Sequence, residues 1–320
     1  MRYDESIERT RAGDALRRLA LDEDLKHRTM ADPALAPIAR RVAQRYIGGE
    51  TVDEVFARVP ASLARGHAVS IEYTGESVRD AALADAETEV FVDVAERIAE
   101  AGIPSTLSLD LSHIGLVVDP EQGYRNAVRL AEVTARAGTE LMISAEASDR
   151  TDLVLQTHER LCAEFDHVGV TLQARLHRTP RDLAQVLPRP GRVRLVKGAF
   201  HESTAIAYPR DSDQLHRAYL GFARTLVESG HRTAIATHDD VLVADLREAL
   251  GSALTADHIE FEVLLGLGTQ LIDGLRADGL NTREYLIFGV EWWLYVLNRI
   301  AEDPQRLAAA VADAVGEPTG

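Results

Sequence analysis

From residue 67 onward, short apolar, β-branched runs alternate with longer stretches in which apolar residues recur every three to four positions. The runs lie at 68–74, 105–112, 140–146, 167–174, 192–198, 233–239, 259–264 and 284–289. Between them, helical patterns span 84–101, 123–137, 151–165, 213–229 and 241–250. Such alternation predicts parallel strands joined by helical crossovers. Eight units over about 250 residues is the size of a (β/α)8 TIM-type barrel. An open doubly wound sheet is the competing architecture. No Gly-x-Gly-x-x-Gly follows the first run and no Walker loop occurs, so the nucleotide-binding forms of that sheet lack support. Residues 1–66 read differently, as helices over 6–21, over 34–46 after Pro33, and from Gly48-Gly49-Glu50-Thr51 through 63. The predicted organisation is an N-terminal helical arm (1–66), a barrel (67–305) and a C-terminal helix or tail (306–320).

Charge and composition narrow the function. The 320 residues carry 35 Lys+Arg against 51 Asp+Glu, a balance of −16. That acidity argues against a nucleic-acid binder or a polybasic membrane anchor. A single cysteine, Cys162, excludes an intrachain disulfide and a cysteine-rich zinc site. The opening Met1-Arg2-Tyr3-Asp4-Glu5 has no apolar leader, and charges interrupt every apolar stretch, so the expectation is a cytoplasmic enzyme without an integral membrane segment. Only two lysines, Lys26 and Lys197, stand among many arginines.

Barrel enzymes place their chemistry at the C-terminal ends of strands. Those ends are polar here: Glu72, Asp110 with Ser112, Ser144 with Glu146, Gln173 with Arg175, Lys197, and Thr237-His238-Asp239. Taken singly, each fits a loop start as well as a site; six together favour a shared site. Lys197 could be a Schiff-base nucleophile, an anion contact or a solvated charge. His238 could be a general base, a metal ligand or a donor to phosphate, although no second histidine stands at ligand spacing, so no metal site is expected. Gly266-Leu267-Gly268 and Gly289 fit a phosphate-binding mouth. On the last helix, Tyr295, Asn298, Arg299 and Glu302 share one face. They make either a solvated face with an Arg299–Asp303 pair or, with Trp292 and Trp293, a pocket wall for a small carboxylate.

Taken together, Arg194-Leu195-Val196-Lys197-Gly198-Ala199-Phe200, Ala236-Thr237-His238-Asp239, Phe261-Glu262, Leu264-Leu265-Gly266 and the Tyr295–Glu302 helix resemble the single-domain bacterial proline dehydrogenases. So do Glu72-Tyr73-Thr74-Gly75-Glu76-Ser77 and Gln173-Ala174. The resemblance implies a distorted (β/α)8 barrel with noncovalent FAD at its mouth. It implies hydride transfer from the carbon beside an amine nitrogen to flavin N5, giving an imine, with electrons passing to a quinone during transient membrane contact. Carried onto this chain, it implies flavin contacts from Gln173, Arg194, Val196, Lys197, Gly198 and Ala199. It gives Thr237, His238 and Asp239 to the phosphate and adenosine part, and Glu302 to an acid of the last helix.

The substrate side departs from the family. The usual paired arginines of the last helix read Asn298-Arg299, the Ser-x-Lys-x-Ser of the second strand reads Ser108-Leu109-Asp110-Leu111-Ser112, and the Asp-Ala-Glu of the third reads Ser144-Ala145-Glu146. Phe200 stands where the family has tyrosine, whereas Tyr285 and Tyr295 match its aromatic positions. Asp110, Ser144, Tyr285, Tyr295, Asn298 and Arg299 are therefore the candidate substrate-side residues. Their altered charge predicts that free proline is a poor substrate, and that another small amine, imino acid or N–N compound is better. The alternatives are a Schiff-base lyase or aldolase using Lys197, and a non-catalytic flavin- or metabolite-binding module.

Overall fold

A computed structural model describes residues 2–75, 78–200, 202–304 and 306–307. Glu76, Ser77 and nearly all of the expected 306–320 tail lie outside the described residues. The chain forms two compact units, residues 1–57 with 287–320, and residues 58–286.

The second unit is built on the expected barrel. Strands β1 (Ala68–Tyr73), β2 (Ser105–Leu109), β3 (Glu140–Ile143), β4 (Val168–Gln173), β5 (Val193–Val196), β6 (Thr233–Ala236), β7 (Ile259–Leu264) and β8 (Thr282–Phe288) close in sequence order, and every recorded pair is parallel. Among the described residues, helix α4 (Val52–Ala64) leads into β1. The crossovers are α5 (Ala81–Ala101), α6 (Pro120–Ala137), α7 (Thr151–Cys162), α8 (Thr179–Val186), α9 (Asp213–Glu228), α10 (Asp240–Leu250) and α11 (Thr269–Ala277). Side-chain caps set several helix starts: Asp80 accepts from Leu83 N (2.8 Å), Ser212 from Leu215 N (3.2 Å) and Asp239 from Leu242 N (3.0 Å).

Strand residues two apart point to the same side, so each β5 and β7 side chain inside the barrel recurs one layer higher. The sequence uses this twice. Arg192, just before β5, and Arg194 on β5 face Glu260 and Glu262 on β7, giving two stacked layers of buried charge. In the lower layer, Glu260 binds Arg283 through two hydrogen bonds (2.8 and 3.0 Å) and lies 3.4 Å from Arg192, which itself binds Glu140 at 2.9 Å. The upper layer belongs to the mouth.

The first unit holds α1 (Arg2–Ala20), α2 (Glu23–Ala31), α3 (Leu35–Ala43) and α12 (Trp293–Glu302). α12 packs on α1 through Gly13, where a Cβ would come within 2.7 Å of the Ala301 carbonyl oxygen. Trp293, Val296, Ile300 and Ala301 are the buried side of α12.

Candidate active site

Strands β1 to β6, and β8 through Tyr285, deliver polar side chains to the C-terminal end of the barrel. Their strands stop earlier than the sequence pattern predicts: β2 at Leu109, β3 at Ile143, β5 at Val196 and β6 at Ala236. Asp110, Ser144, Lys197 and Thr237-His238-Asp239 follow immediately, with Ser144 N and Thr237 N still donating to the Leu109 and Glu262 carbonyls (2.8 and 3.1 Å).

On one side of the mouth sit carboxylates. Glu72 accepts hydrogen bonds from the Ser144 hydroxyl (2.6 Å) and from the Tyr285 hydroxyl, and these two hydroxyls lie 3.4 Å apart. Glu146 accepts from Ser112 N and from Arg150, each at 2.9 Å. The Asp110 carboxyl has no hydrogen-bond or ion-pair partner among the described residues. Burial, followed by the charges of Glu72 and Glu146, pushes its pKa well above the usual aspartate range, and Arg150 offsets only part of this. A cavity of about 420 Å³ lined by Arg79, Val117, Val118 and Arg150 opens among the loops at this end.

At the floor of the mouth lies Arg194, 4% exposed. Its Nε and Nη2 bind Glu262 at 2.7 and 3.0 Å, and Nη2 also donates to Ser70 and Ser108 (3.1 and 3.0 Å). The guanidinium lies 4.7 Å from the centre of the Tyr285 ring. Nη1 has no hydrogen-bond partner among the described residues. Burial opposes the charge, but Glu262 overcomes it and holds Arg194 protonated.

The third wall comes from β4, β5 and β6. Gln173 is 5% exposed, donates to the Glu146 carbonyl (2.9 Å), and keeps a buried Oε1 with no partner among the described residues. Gly198 adopts φ +113°, and a Cβ there would strike the Arg175 side chain at 2.7 Å. Val196 and Lys197 present their carbonyls to Ala174 N and Arg175 N, at 2.8 and 3.0 Å, which fixes the Lys197–Ala199 turn. Lys197 pairs with Asp239 at 2.5 Å, both about one-third exposed. Burial alone would raise the Asp239 pKa; the hydrogen bonds from Lys197 and Leu242 N, and the lysine's charge, bring it below the ordinary value.

Two expectations change, those for Arg175 and Arg299. Arg175 serves the scaffold: it donates to the Phe200 carbonyl (2.7 Å) and the Tyr208 carbonyl (3.0 Å), pinning the loop between β5 and α9. His238 Nε2 accepts from Leu264 N at 3.2 Å, and no metal-ligand group of three occurs among the described residues. On α12, Arg299 pairs with Glu302 at 2.9 Å and not with Asp303. Asp303 caps the helix in an extended conformation (φ −144°), which carries it off the face it was expected to share.

The four residues of α12 do share a face: the Arg299 guanidinium lies 5.6 Å from the Tyr295 ring centre, and its buried Nε is unbonded among the described residues. The tryptophans expected as pocket walls instead tie α12 to the arm, Trp292 Nε1 donating to Glu50 (2.8 Å) and Trp293 Nε1 to the Leu19 carbonyl (3.2 Å). Ser70 was not singled out by sequence, and Glu262 and Ser108 entered only as parts of family-like motifs with no role assigned to them. Their signal is a polar residue inside an otherwise apolar strand.

The mouth suits a flavin in its donor set. It offers a buried acceptor without a donor at Gln173, an open guanidinium edge at Arg194, bare main chain at Gly198, and α11 starting at Gly268 (φ +66°) with no side-chain cap over its first N–H groups.

A model of the family described as proline dehydrogenase matches residues 56–302. Proline dehydrogenase 2 of Bacillus subtilis (strain 168) is 30% identical over 273 residues, covering 85% of this chain and 90% of that protein. The proline dehydrogenase of Deinococcus radiodurans is 29% identical over 289 residues, covering 87% and 93%. Among solved structures, proline utilization A (PutA) from Bdellovibrio bacteriovorus inactivated by N-propargylglycine aligns with a TM-score of 0.74 at 16% identity, over 87% of this chain. A bifunctional PutA protein aligns with 0.71 at 21%, over 88%. This chain spans about a third of those two, 35% and 33%, and they speak to the fold alone.

Proposed function

The chain belongs to the proline dehydrogenase family, and from that premise we propose that it is an FAD-dependent dehydrogenase of amines whose substrate site has been recast toward cations. Bound FAD supplies the two-electron acceptor for the hydride that leaves the carbon beside the nitrogen. Gln173, Arg194, Val196, Lys197, Gly198 and Ala199 are the proposed flavin contacts in the barrel, with Thr237, His238 and Asp239 for its phosphate and adenosine part. On sequence resemblance, Glu302 is assigned to the flavin and Tyr295, Asn298 and Arg299 to the substrate. A cytoplasmic location and a quinone as electron acceptor complete the reading; no helix among the described residues is long and apolar enough to cross a membrane.

The observation that carries the substrate reading is the Asp110 carboxyl, without a partner among the described residues and facing the charges of Glu72 and Glu146. An ammonium placed there relieves carboxylate repulsion, and Asp110 can accept its N–H. A substrate carboxylate would add to the repulsion. Asn298 also removes one fork of the family's carboxylate clamp, a loss worth about 2–5 kcal/mol, or ~30-fold and more in affinity. Tyr285 and Ser144 are held by Glu72, so their hydroxyls are oriented donors rather than free nucleophiles. A Schiff-base role for Lys197 gains no support from its ion pair with Asp239.

Purified protein reconstituted with FAD is expected to turn yellow and to be bleached anaerobically by pyrrolidine or L-prolinamide at lower concentration than by L-proline. Strong, saturable oxidation of L-proline sinks the recast substrate site. Failure to take up FAD sinks the enzyme itself, and a yellow protein bleached only by dithionite indicates a binding module.

A further inference from the structure

Glu262 has no part in the reading above, yet it is one of the most enclosed charges in the barrel, 2% exposed in the middle of β7. Both its oxygens are committed. Oε2 takes Arg194 Nε at 2.7 Å, while Oε1 takes Arg194 Nη2 at 3.0 Å and the Ser70 hydroxyl at 2.8 Å. Ser70 is in turn 2.6 Å from the Thr106 hydroxyl, and Ser108 holds Nη2 from the other side at 3.0 Å. Two-point pairing fixes the plane of a guanidinium as well as its place. It leaves Nη1 as the one nitrogen of Arg194 with no hydrogen-bond partner among the described residues. Arg194 as a whole is 4% exposed, so this free edge is the part of the guanidinium left for a ligand in the mouth.

Pairing also changes the field. An unpaired guanidinium in a low-dielectric site attracts any negative charge that develops nearby, whereas one balanced by a carboxylate under 3 Å away attracts it far less. We propose that Glu262 tunes the electron affinity of the flavin. It neutralises Arg194, the cation proposed to touch the cofactor, and holds that cation with its Nη1 edge free. The inference rests on the flavin reading above. Two-electron reduction leaves negative charge on the isoalloxazine ring at neutral pH, so a free Arg194 would favour the reduced form and a paired one favours it less. Glu262 thus makes the flavin a weaker oxidant, and acts through Arg194 as a positioning residue.

The test is the midpoint potential of the FAD-loaded protein, measured by anaerobic dye titration. Glu262→Gln is expected to move it positive, shifting the reduction equilibrium at least ~tenfold, about 30 mV for a two-electron couple. Ser108→Asp, which adds a second carboxylate beside Nη2, is expected to move it negative, and Glu262→Asp to restore the parent value. Opposite signs in the first two variants distinguish charge from packing. An unmoved potential in FAD-bound Glu262→Gln overturns the proposal, as does a shift of the same sign in Ser108→Asp. If Glu262→Gln does not fold, the sign for Ser108→Asp decides alone. A parent protein that takes up no FAD overturns the functional reading itself; a parent that binds FAD with unmoved variants overturns only the role of Glu262.

Discussion

The two ends of the barrel interior use the same residue types to opposite ends. In the lower layer every charge finds another protein charge: Arg283 and Arg192 on Glu260, Arg192 on Glu140, and nearby Arg65 with the Ser62 hydroxyl on Glu284. In the upper layer Arg194 and Glu262 are paired, but among the described residues the Asp110 carboxyl and Arg194 Nη1 have no hydrogen-bond partner and Gln173 keeps a buried unbonded acceptor. Polar groups that satisfy one another are framework; polar groups left open in a buried place are a demand for a ligand. Composition cannot separate the two, because both layers are built from arginine, glutamate and serine. Partner accounting separates them.

The sharpest way to break the contrast is to remove a charge from the lower layer. Burial alone would raise the pKa of Glu260, but Arg283 and Arg192 hold it below the ordinary glutamate value. Its stabilising contribution is therefore present above the unfolded pKa of about 4.3 and is lost as pH falls through the folded value. Glu260→Gln leaves two buried arginines short of a carboxylate and is expected to cost about 3–5 kcal/mol in urea unfolding at pH 7. Turnover per folded molecule should be unchanged. A variant as stable as the parent would mean that the lower layer is not framework.

The next test moves to the mouth. Lys197 and Asp239 are each about one-third exposed, so their pair contributes at most about 1 kcal/mol to stability. If Lys197 is there for the cofactor, Lys197→Met should leave the unfolding midpoint nearly in place while FAD affinity falls at least ~10-fold, about 1.4 kcal/mol. Titration by quenching of flavin fluorescence reads this directly. The reverse pattern, lost stability with unchanged FAD affinity, would return Lys197 to the framework.

How much of this was readable in the sequence depends on what carried the signal. The barrel was legible because β-branched runs and helical patterns alternate, and β7 falls on 259–264 as expected. The strand ends were overread at Ser112, Glu146, Gly198 and Asp239, since hydropathy does not mark where a ladder stops and a loop begins. Helix α2 escaped notice because it has no buried residue and so no apolar period. Helices α8 and α11 are short, and one opens with a proline while the other carries Gly274. The mouth residues were legible as polar strand ends. What pairs with what was not: Arg175 reads like a ligand contact and proves a loop anchor, while Glu262 reads like an interruption of β7 and proves the partner of Arg194.

The smallest expected effect gives the comparison its sign. Asp110 keeps its proton to higher pH in the folded protein than in the unfolded chain, because burial and the charges of Glu72 and Glu146 oppose its ionisation. A raised folded pKa means that the folded state binds more protons, so stability is fullest below about pH 4 and declines as pH rises through the folded value. Asp110→Asn removes that decline. The ligand-free variant should therefore have a higher Tm than the parent at pH 8 and the same Tm near pH 4, read by thermal unfolding at the two pH values. Pyrrolidine should lose kcat/KM in the same variant and L-proline gain it. Taking a carboxylate from the lower layer thus weakens the protein, while taking one from the mouth strengthens it and redirects its substrate. A drop in Tm at pH 8 for Asp110→Asn would make both ends framework, and the open groups of the mouth would no longer argue for a ligand.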